Sequence, residues 1–204
     1  MAEPEIDVVL FDLGGVLIEF GGFEAMRVLS GIDDDDEMWR RWLTCRWVRE
    51  FERGRCTADA FATGFVDEWS LEITPAEFLD EFATWPAGVF AGADELVAEV
   101  RGRLPTGCLS NTNSIHWDQN SGRWPLLTSF DFHFLSHELG VLKPDRDVFD
   151  RVAAQLPAPP ERVLFLDDND LNVDGAIDAG FRAARVRGVA EARAALVGAH
   201  VLGC

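Results

Sequence analysis

Short apolar stretches rich in β-branched side chains recur along the chain, at Ile6 to Phe11, Thr106 to Leu109, Phe132 to Leu135, Val163 to Leu166 and Ala183 to Val186. Each has the length of a strand. In runs such as Val8-Val9-Leu10-Phe11 the polar alternation of a half-wet sheet is missing, so both faces are expected to be covered. Helical spacing fills much of the intervening sequence: Ala93 to Arg103, Asp145 to Leu156 with Pro144 near its first turn, and Leu171 to Ala179 closed by Gly180. Strands alternating with helices predict an α/β fold, a three-layer α/β/α Rossmann-like arrangement around a parallel sheet. Right-handed crossovers then bring the C-terminal ends of the strands to one rim.

The interval from Phe20 to Phe90 breaks this rhythm. It has no convincing strand and is too long for an ordinary crossover. Its apolar residues fall three and four apart, as in Met38-Trp39-Trp42-Leu43-Trp47 and Phe61-Phe65-Val66-Trp69, which suits amphipathic helices. The pattern predicts a core built from residues 1–19 and 91–204, with a helical cap domain inserted at 20–90. The aromatic stripes read as packing in preference to a cofactor box. Trp42, Trp47 and Trp69 fit a pocket or a core equally well. Asp33 to Glu37 reads as a solvated loop or helix start.

Composition narrows the function classes. With 18 basic against 36 acidic side chains in 204 residues, the formal charge of -18 opposes nonspecific binding to nucleic acid or anionic membranes. Any phosphorylated partner must therefore meet local cations. No apolar run reaches the roughly 18 residues that a membrane span requires, and Met1-Ala2-Glu3-Pro4-Glu5 is acidic where a secretion signal is basic. A cytoplasmic protein is expected, and a monomer, since coiled-coil heptads are missing. Cys45, Cys56, Cys108 and Cys204 have neither CxxC nor Cys/His metal spacing, so reduced thiols are expected.

Four segments fall at the predicted rim: Asp12 after the first strand, Ser110-Asn111-Thr112-Asn113 after the second, Lys143-Pro144 before a helix, and Asp167-Asp168-Asn169 after the fourth. They supply a nucleophile, hydroxyl and amide donors, a fixed cation and a carboxylate pair. Phosphoryl transfer asks for that set, because the protein must position an attacking oxygen and neutralise charge on the phosphoryl oxygens. Hard carboxylate oxygens suit Mg2+.

Read as motifs, Phe-Asp-Leu-Gly-Gly-Val-Leu, Leu-Ser-Asn-Thr-Asn, Leu-Gly-Val-Leu-Lys-Pro-Asp and Phe-Leu-Asp-Asp-Asn resemble the ordered motifs of the haloacid dehalogenase superfamily. The branch most resembled is that of small bacterial phosphatases acting on α-D-glucose 1-phosphate. The resemblance implies that Asp12 attacks phosphorus to form an aspartyl-phosphate. Ser110 and the Asn111 backbone would hold phosphate oxygens, and Lys143 would neutralise phosphate and nucleophile. It also implies Mg2+ bound by Asp12, the Gly14 carbonyl and Asp168, with Asp167 either a ligand or a support.

One position departs from the pattern. Many phosphatases of this superfamily carry an aspartate two residues after the nucleophile as general acid and base, and this chain has Gly14. Glycine transfers no proton, so another source is needed. An anomeric oxygen is a good leaving group, which makes a hexose 1-phosphate the expected substrate. His116 is the nearest other proton carrier in sequence, though a structural histidine is the preferred reading. Asn113 reads as a phosphate-loop donor or helix cap, Asn172 as a support for the carboxylates, and Glu52-Arg53-Gly54 as a cap loop facing the site or a plain helix-helix turn. Two alternatives to a phosphatase of a small phosphorylated metabolite stand beside it: a 2-haloacid dehalogenase, which has little use for two adjacent aspartates, and a noncatalytic binding protein on the same fold.

Overall fold

The computed structural model describes residues 5–203; Met1 to Pro4 and Cys204, part of the readings of the N-terminus and the thiols, lie outside them. In chain order the elements begin β1 (Val8–Phe11), β2 (Ile18–Phe20), α1 (Gly22–Ser30), α2 (Asp35–Thr44), α3 (Arg46–Glu52), α4 (Ala58–Trp69), α5 (Pro75–Phe82) and β3 (Pro86–Val89). They continue with α6 (Ala93–Arg101), β4 (Thr106–Ser110), α7 (Ser114–Ser121), α8 (Pro125–Thr128), β5 (Phe132–Leu135) and α9 (Ser136–Leu139). The chain closes with α10 (Arg146–Ala153), β6 (Val163–Asp167), α11 (Asp170–Asp178), β7 (Arg182–Arg185) and α12 (Gly188–Gly198).

Five parallel strands form one sheet in the order β5-β4-β1-β6-β7. The unbroken apolar runs are explained by burial on both faces. Val9 and Phe11 of β1, with Leu164 and Leu166 of β6, pack toward α6, α8 and α12. Val8, Leu10, Val163 and Phe165 point the other way, onto α10 and α11. Because β4 lies on one side of β1 and β6 on the other, the strand order reverses at β1. That leaves a crevice at the strand ends, where α/β proteins bind ligands.

Residues between the first two sheet strands have a core of their own. Phe51, Phe61, Phe65, Phe78 and Phe82 gather with Val48 and Trp69 from α3, α4 and α5. The Phe51 and Phe61 rings stack at 4.5 Å, and those of Phe65 and Phe78 at 4.7 Å. Local signals set these helix starts: Thr57 accepts from the Ala60 N–H, and Thr74 and Glu77 form a reciprocal capping box around Pro75, the first residue of α5. The charge run also begins a helix, with the Asp34 side chain accepting from the Glu37 N–H.

One expectation is corrected. The interval contains a strand after all, β3, which pairs antiparallel with β2 through Ile18↔Val89 and Glu19↔Gly88. Pro86 and Gly88 are poor strand formers, and the pairing joins positions far apart in sequence, so no local pattern reveals it. This ribbon ties together the two ends of the helical segment. Pro144 also lies one residue further out than expected, ahead of Asp145, the residue preceding α10.

Candidate active site

The rim at the reversal point gathers the expected residues. Asp12 follows β1 directly, and its N–H still donates to the Leu166 carbonyl at 2.8 Å, prolonging the ladder by one step. The chain then turns tightly, with the Leu17 and Ile18 N–H groups both donating to the Leu13 carbonyl. Gly15, at φ 71°, lies so close to Asp168 that a Cβ there would sit 2.3 Å from its Oδ2. Only glycine permits that turn and that approach.

Lys143 is buried between two carboxylates, with Nζ 2.9 Å from Asp12 Oδ1 and 2.6 Å from Asp167 Oδ2. Asn111 fixes the lysine backbone: its Nδ2 donates to the Lys143 carbonyl and its Oδ1 accepts from the Lys143 N–H, each at 2.9 Å. The role expected of Asn111 uses its backbone, and this grip of its side chain on Lys143 adds a second one. Asp167 is fully buried and also accepts from the Asn169 N–H at 2.9 Å and from Asn172 Nδ2 at 3.1 Å on both oxygens. It therefore sits behind the site and orients Lys143, with Asn172 supporting it.

Asp12, Gly14, Ser110, Asn111, Lys143, Asp168 and Asn172 all open onto one cavity of about 390 Å3. Its floor is polar. Above it, Phe20, Phe23, Trp39, Trp42 and Trp85 supply an aromatic wall from the ribbon, the helices and the segment joining α5 to β3. Trp42 thus belongs to the pocket, Trp69 to the buried core, and Trp47 packs against Gly64.

The electrostatics of the floor are unbalanced. Asp12, Asp167 and Asp168 can each offer an oxygen within 4.8 Å of the others, and one ammonium faces them. Burial, then repulsion from Asp167 and Asp168, lifts the Asp12 carboxyl from 3.8 to about 7 against the pull of Lys143. Asp168 is raised by burial and by Asp167. Burial opposes the Lys143 charge, but the two carboxylates outweigh it and hold the lysine protonated, above its ordinary value. The residual negative charge and the hard oxygen donors of this acidic group fit a divalent cation.

Three further expected residues, His116, Asn113 and Arg53, do not line this cavity. His116 is buried, stacked on Phe82, with Nε2 2.7 Å from the Phe82 carbonyl and Nδ1 3.1 Å from Asn113 Nδ2. Burial lowers its pKa from 6.5 to about 4, so it is neutral and both nitrogens are occupied, which leaves the proton-carrier reading without a free nitrogen. Asn113 caps α7 by accepting from the His116 N–H. Arg53 turns away to Asp145, at 2.7 Å, beside Arg49 at 3.0 Å. Its neighbour Glu52, named with it in the expected cap loop, lines the cavity instead. Burial raises the Glu52 carboxyl from 4.5 to about 7 against the pull of Arg49, Lys143 and Arg53, with Asp12 adding to the rise. Position 52 ends α3, directly after the buried Phe51.

Known proteins share this fold and part of this sequence. A haloacid dehalogenase-like hydrolase family model matches residues 6–180. The chain belongs to this hydrolase family. Over 181 residues it is 26% identical to a D-ribitol-5-phosphate phosphatase of Bacteroides thetaiotaomicron, covering 85% of this chain and 88% of the relative. It is 25% identical over 187 residues to pyrimidine 5'-nucleotidase YjjG of Escherichia coli, covering 85% and 83%. Among solved structures, a family enzyme of Bacteroides thetaiotaomicron, crystallised with magnesium and inorganic phosphate, superposes with TM-score 0.73 at 22% identity over 89% of this chain and 94% of that one. The L-2-haloacid dehalogenase of Xanthobacter autotrophicus gives TM-score 0.65 at 25% identity, over 89% and 77%. This hydrolase is thus an α/β enzyme of the family with named phosphatase relatives.

Proposed function

We propose that the chain is a Mg2+-dependent phosphatase of small phosphorylated metabolites, with sugar phosphates as the substrate class and a hexose 1-phosphate as the first to assay. The observation that carries the reading is Lys143 bridging Asp12 and Asp167, with Asp168 open to the same cavity. Asp12 is the nucleophile. Ser110 and the Asn111 backbone hold phosphate oxygens, and Lys143 neutralises both partners of the attack. Asp12 Oδ bonds to phosphorus as the leaving oxygen departs, and water then cleaves the aspartyl-phosphate. Mg2+, when bound by Asp12, Asp168 and the Gly14 carbonyl, supplies charge screening between an anionic nucleophile and an anionic substrate.

Several features support this. A fold relative was crystallised with magnesium and phosphate, and a curated relative acts on a polyol phosphate. The aromatic wall suits the C–H face of a sugar ring, while Glu19 and Glu52 offer acceptors to its hydroxyls. A helical unit with its own core fits a cap over residues 20–90 that excludes water from the reaction. We assign it to the cytoplasm as a monomer; no described helix is long and apolar enough to cross a membrane. A dehalogenase would leave Asp168 facing Asp12 without a counter-ion.

The test is phosphate release from a panel that includes glucose 1-phosphate, ribitol 5-phosphate and pyrimidine nucleotides, by wild type and Asp12→Asn, with Mg2+ and with EDTA. Mg2+-dependent release by wild type alone is expected. Release undiminished in Asp12→Asn, or none from any substrate, overturns the reading.

A further inference from the structure

Resting on the phosphatase reading, we infer that Glu52 is the general acid and base of this site. It donates a proton to the departing substrate oxygen, then accepts one from the water that hydrolyses phosphorylated Asp12.

The need arises at position 14. An alkoxide leaves phosphorus poorly unless protonated, and Gly14 has nothing to give. Among the described ionisable residues of the cavity, Asp12 attacks, Lys143 is locked between carboxylates, Asp168 is opposed to Asp12, and Glu19 is exposed to solvent. Glu52 remains. Its carboxyl makes no hydrogen bond or ion pair among the described residues, so its proton is free to be shared with a substrate.

Direction and rigidity agree. Asp12 attacks from the sheet rim, so in-line displacement drives the leaving group outward, toward the helical unit that carries Glu52. The residues just after Glu52 are fastened to the core. Arg53 and Arg49 share Asp145, and Arg55 donates to the Gly140 carbonyl at 3.1 Å. Gly54, at φ 66°, comes so near α9 that a Cβ would lie 2.3 Å from the His137 carbonyl oxygen. The charged groups around Glu52 are Arg49 and Arg53 from its own segment, Lys143 ahead of α10, and Asp12 after β1. Burial outweighs the three cations and brings its pKa to about 7, the range in which one carboxyl can both give and take a proton.

The step balances. The Asp12–phosphorus bond forms as the ester bond breaks, and the Glu52 proton goes to the leaving oxygen, giving a neutral alcohol. Water then adds to phosphorus, its proton returns to Glu52, and the Asp12–phosphorus bond breaks to release inorganic phosphate.

Leaving-group dependence of kcat/KM provides the test, since that ratio reports events up to departure of the alcohol. Glycerol phosphate needs the proton; p-nitrophenyl phosphate, whose phenolate is stable, does not. Glu52→Gln is expected to lose about 100-fold or more on glycerol phosphate and little on p-nitrophenyl phosphate. It is also expected to show a burst of p-nitrophenolate as the phosphorylated enzyme accumulates, whose amplitude counts competent sites and corrects for misfolded protein. With glycerol phosphate, wild-type kcat/KM should fall above about pH 7, and that limb should vanish in the variant. Equal losses per competent site on both substrates, or no loss on either, overturn the assignment while leaving the phosphatase reading intact. A wild type inert toward both esters and toward the sugar phosphates and nucleotides named above overturns the phosphatase reading and this one with it.

Discussion

Replacing Lys143 by Met keeps the length and apolar stem of the side chain and removes only the ammonium. Two contacts vanish, to Asp12 at 2.9 Å and to Asp167 at 2.6 Å. At an effective dielectric of about 20 each attraction is roughly 6 kcal/mol, offset by the several kcal/mol that burying the ammonium costs. Breaking a buried pair by deleting one partner costs about 3–5 kcal/mol, because the other charge is stranded. For a chain of this size that corresponds to a fall in Tm of about 6–20 °C. The deficit must depend on pH. Without Lys143 the Asp12 and Asp168 carboxyls, already raised by burial, rise further, so the native state binds protons more tightly than the unfolded chain. Stability of the variant then falls as pH climbs through that window and returns as pH drops. Melts by circular dichroism at pH 5 and pH 8, with and without millimolar Mg2+, are expected to show the larger deficit at pH 8 and partial recovery with the cation. A deficit of one size under all four conditions would refute the electrostatic reasoning and leave Lys143 as packing.

His116→Gln is expected to keep turnover well within the roughly 100-fold that loss of a proton carrier costs, measured on whichever substrate wild type hydrolyses. Since the native His116 pKa is about 4 against 6.5 unfolded, the unfolded chain alone takes up a proton between those values. Wild type should therefore lose about 3 kcal/mol relative to the variant's own pH trend as pH falls from 6.5 to 4, read by calorimetry. Asp145→Asn removes the anion shared by Arg49 and Arg53. Being partly exposed, that pair should contribute about 1 kcal/mol or less to stability, while kcat/KM on alkyl phosphates drops more than the melt implies.

The sheet and its rim were legible because both signals are local. Val8-Val9-Leu10-Phe11 has no polar alternation, and Asp12 ends it with a group that burial without a partner would penalise. Phe61, Phe65 and Trp69 repeat at helical spacing and are buried together on α4. The β2–β3 ribbon was not legible, since Ile18 and Val89 meet across the whole helical segment. Nor was the choice between Glu52 and Arg53: both are charged, and only the position of Asp145, far along the chain, turns one outward and leaves the other in the cavity. Likewise the grip of Asn111 on the Lys143 backbone depends on β4 and the loop before α10 arriving side by side.

The aromatic packing of the helical segment is separate from the two clusters that sandwich the sheet. Trp39 and Trp42 line the pocket from α2, while Asp12, Ser110 and Asp168 stand on the sheet. Selection or an engineer can therefore reshape what the enzyme accepts by editing one helix, leaving the bond-breaking groups and their foundations as they are. Such a division lets one lineage spread across many metabolites without reinventing its reaction.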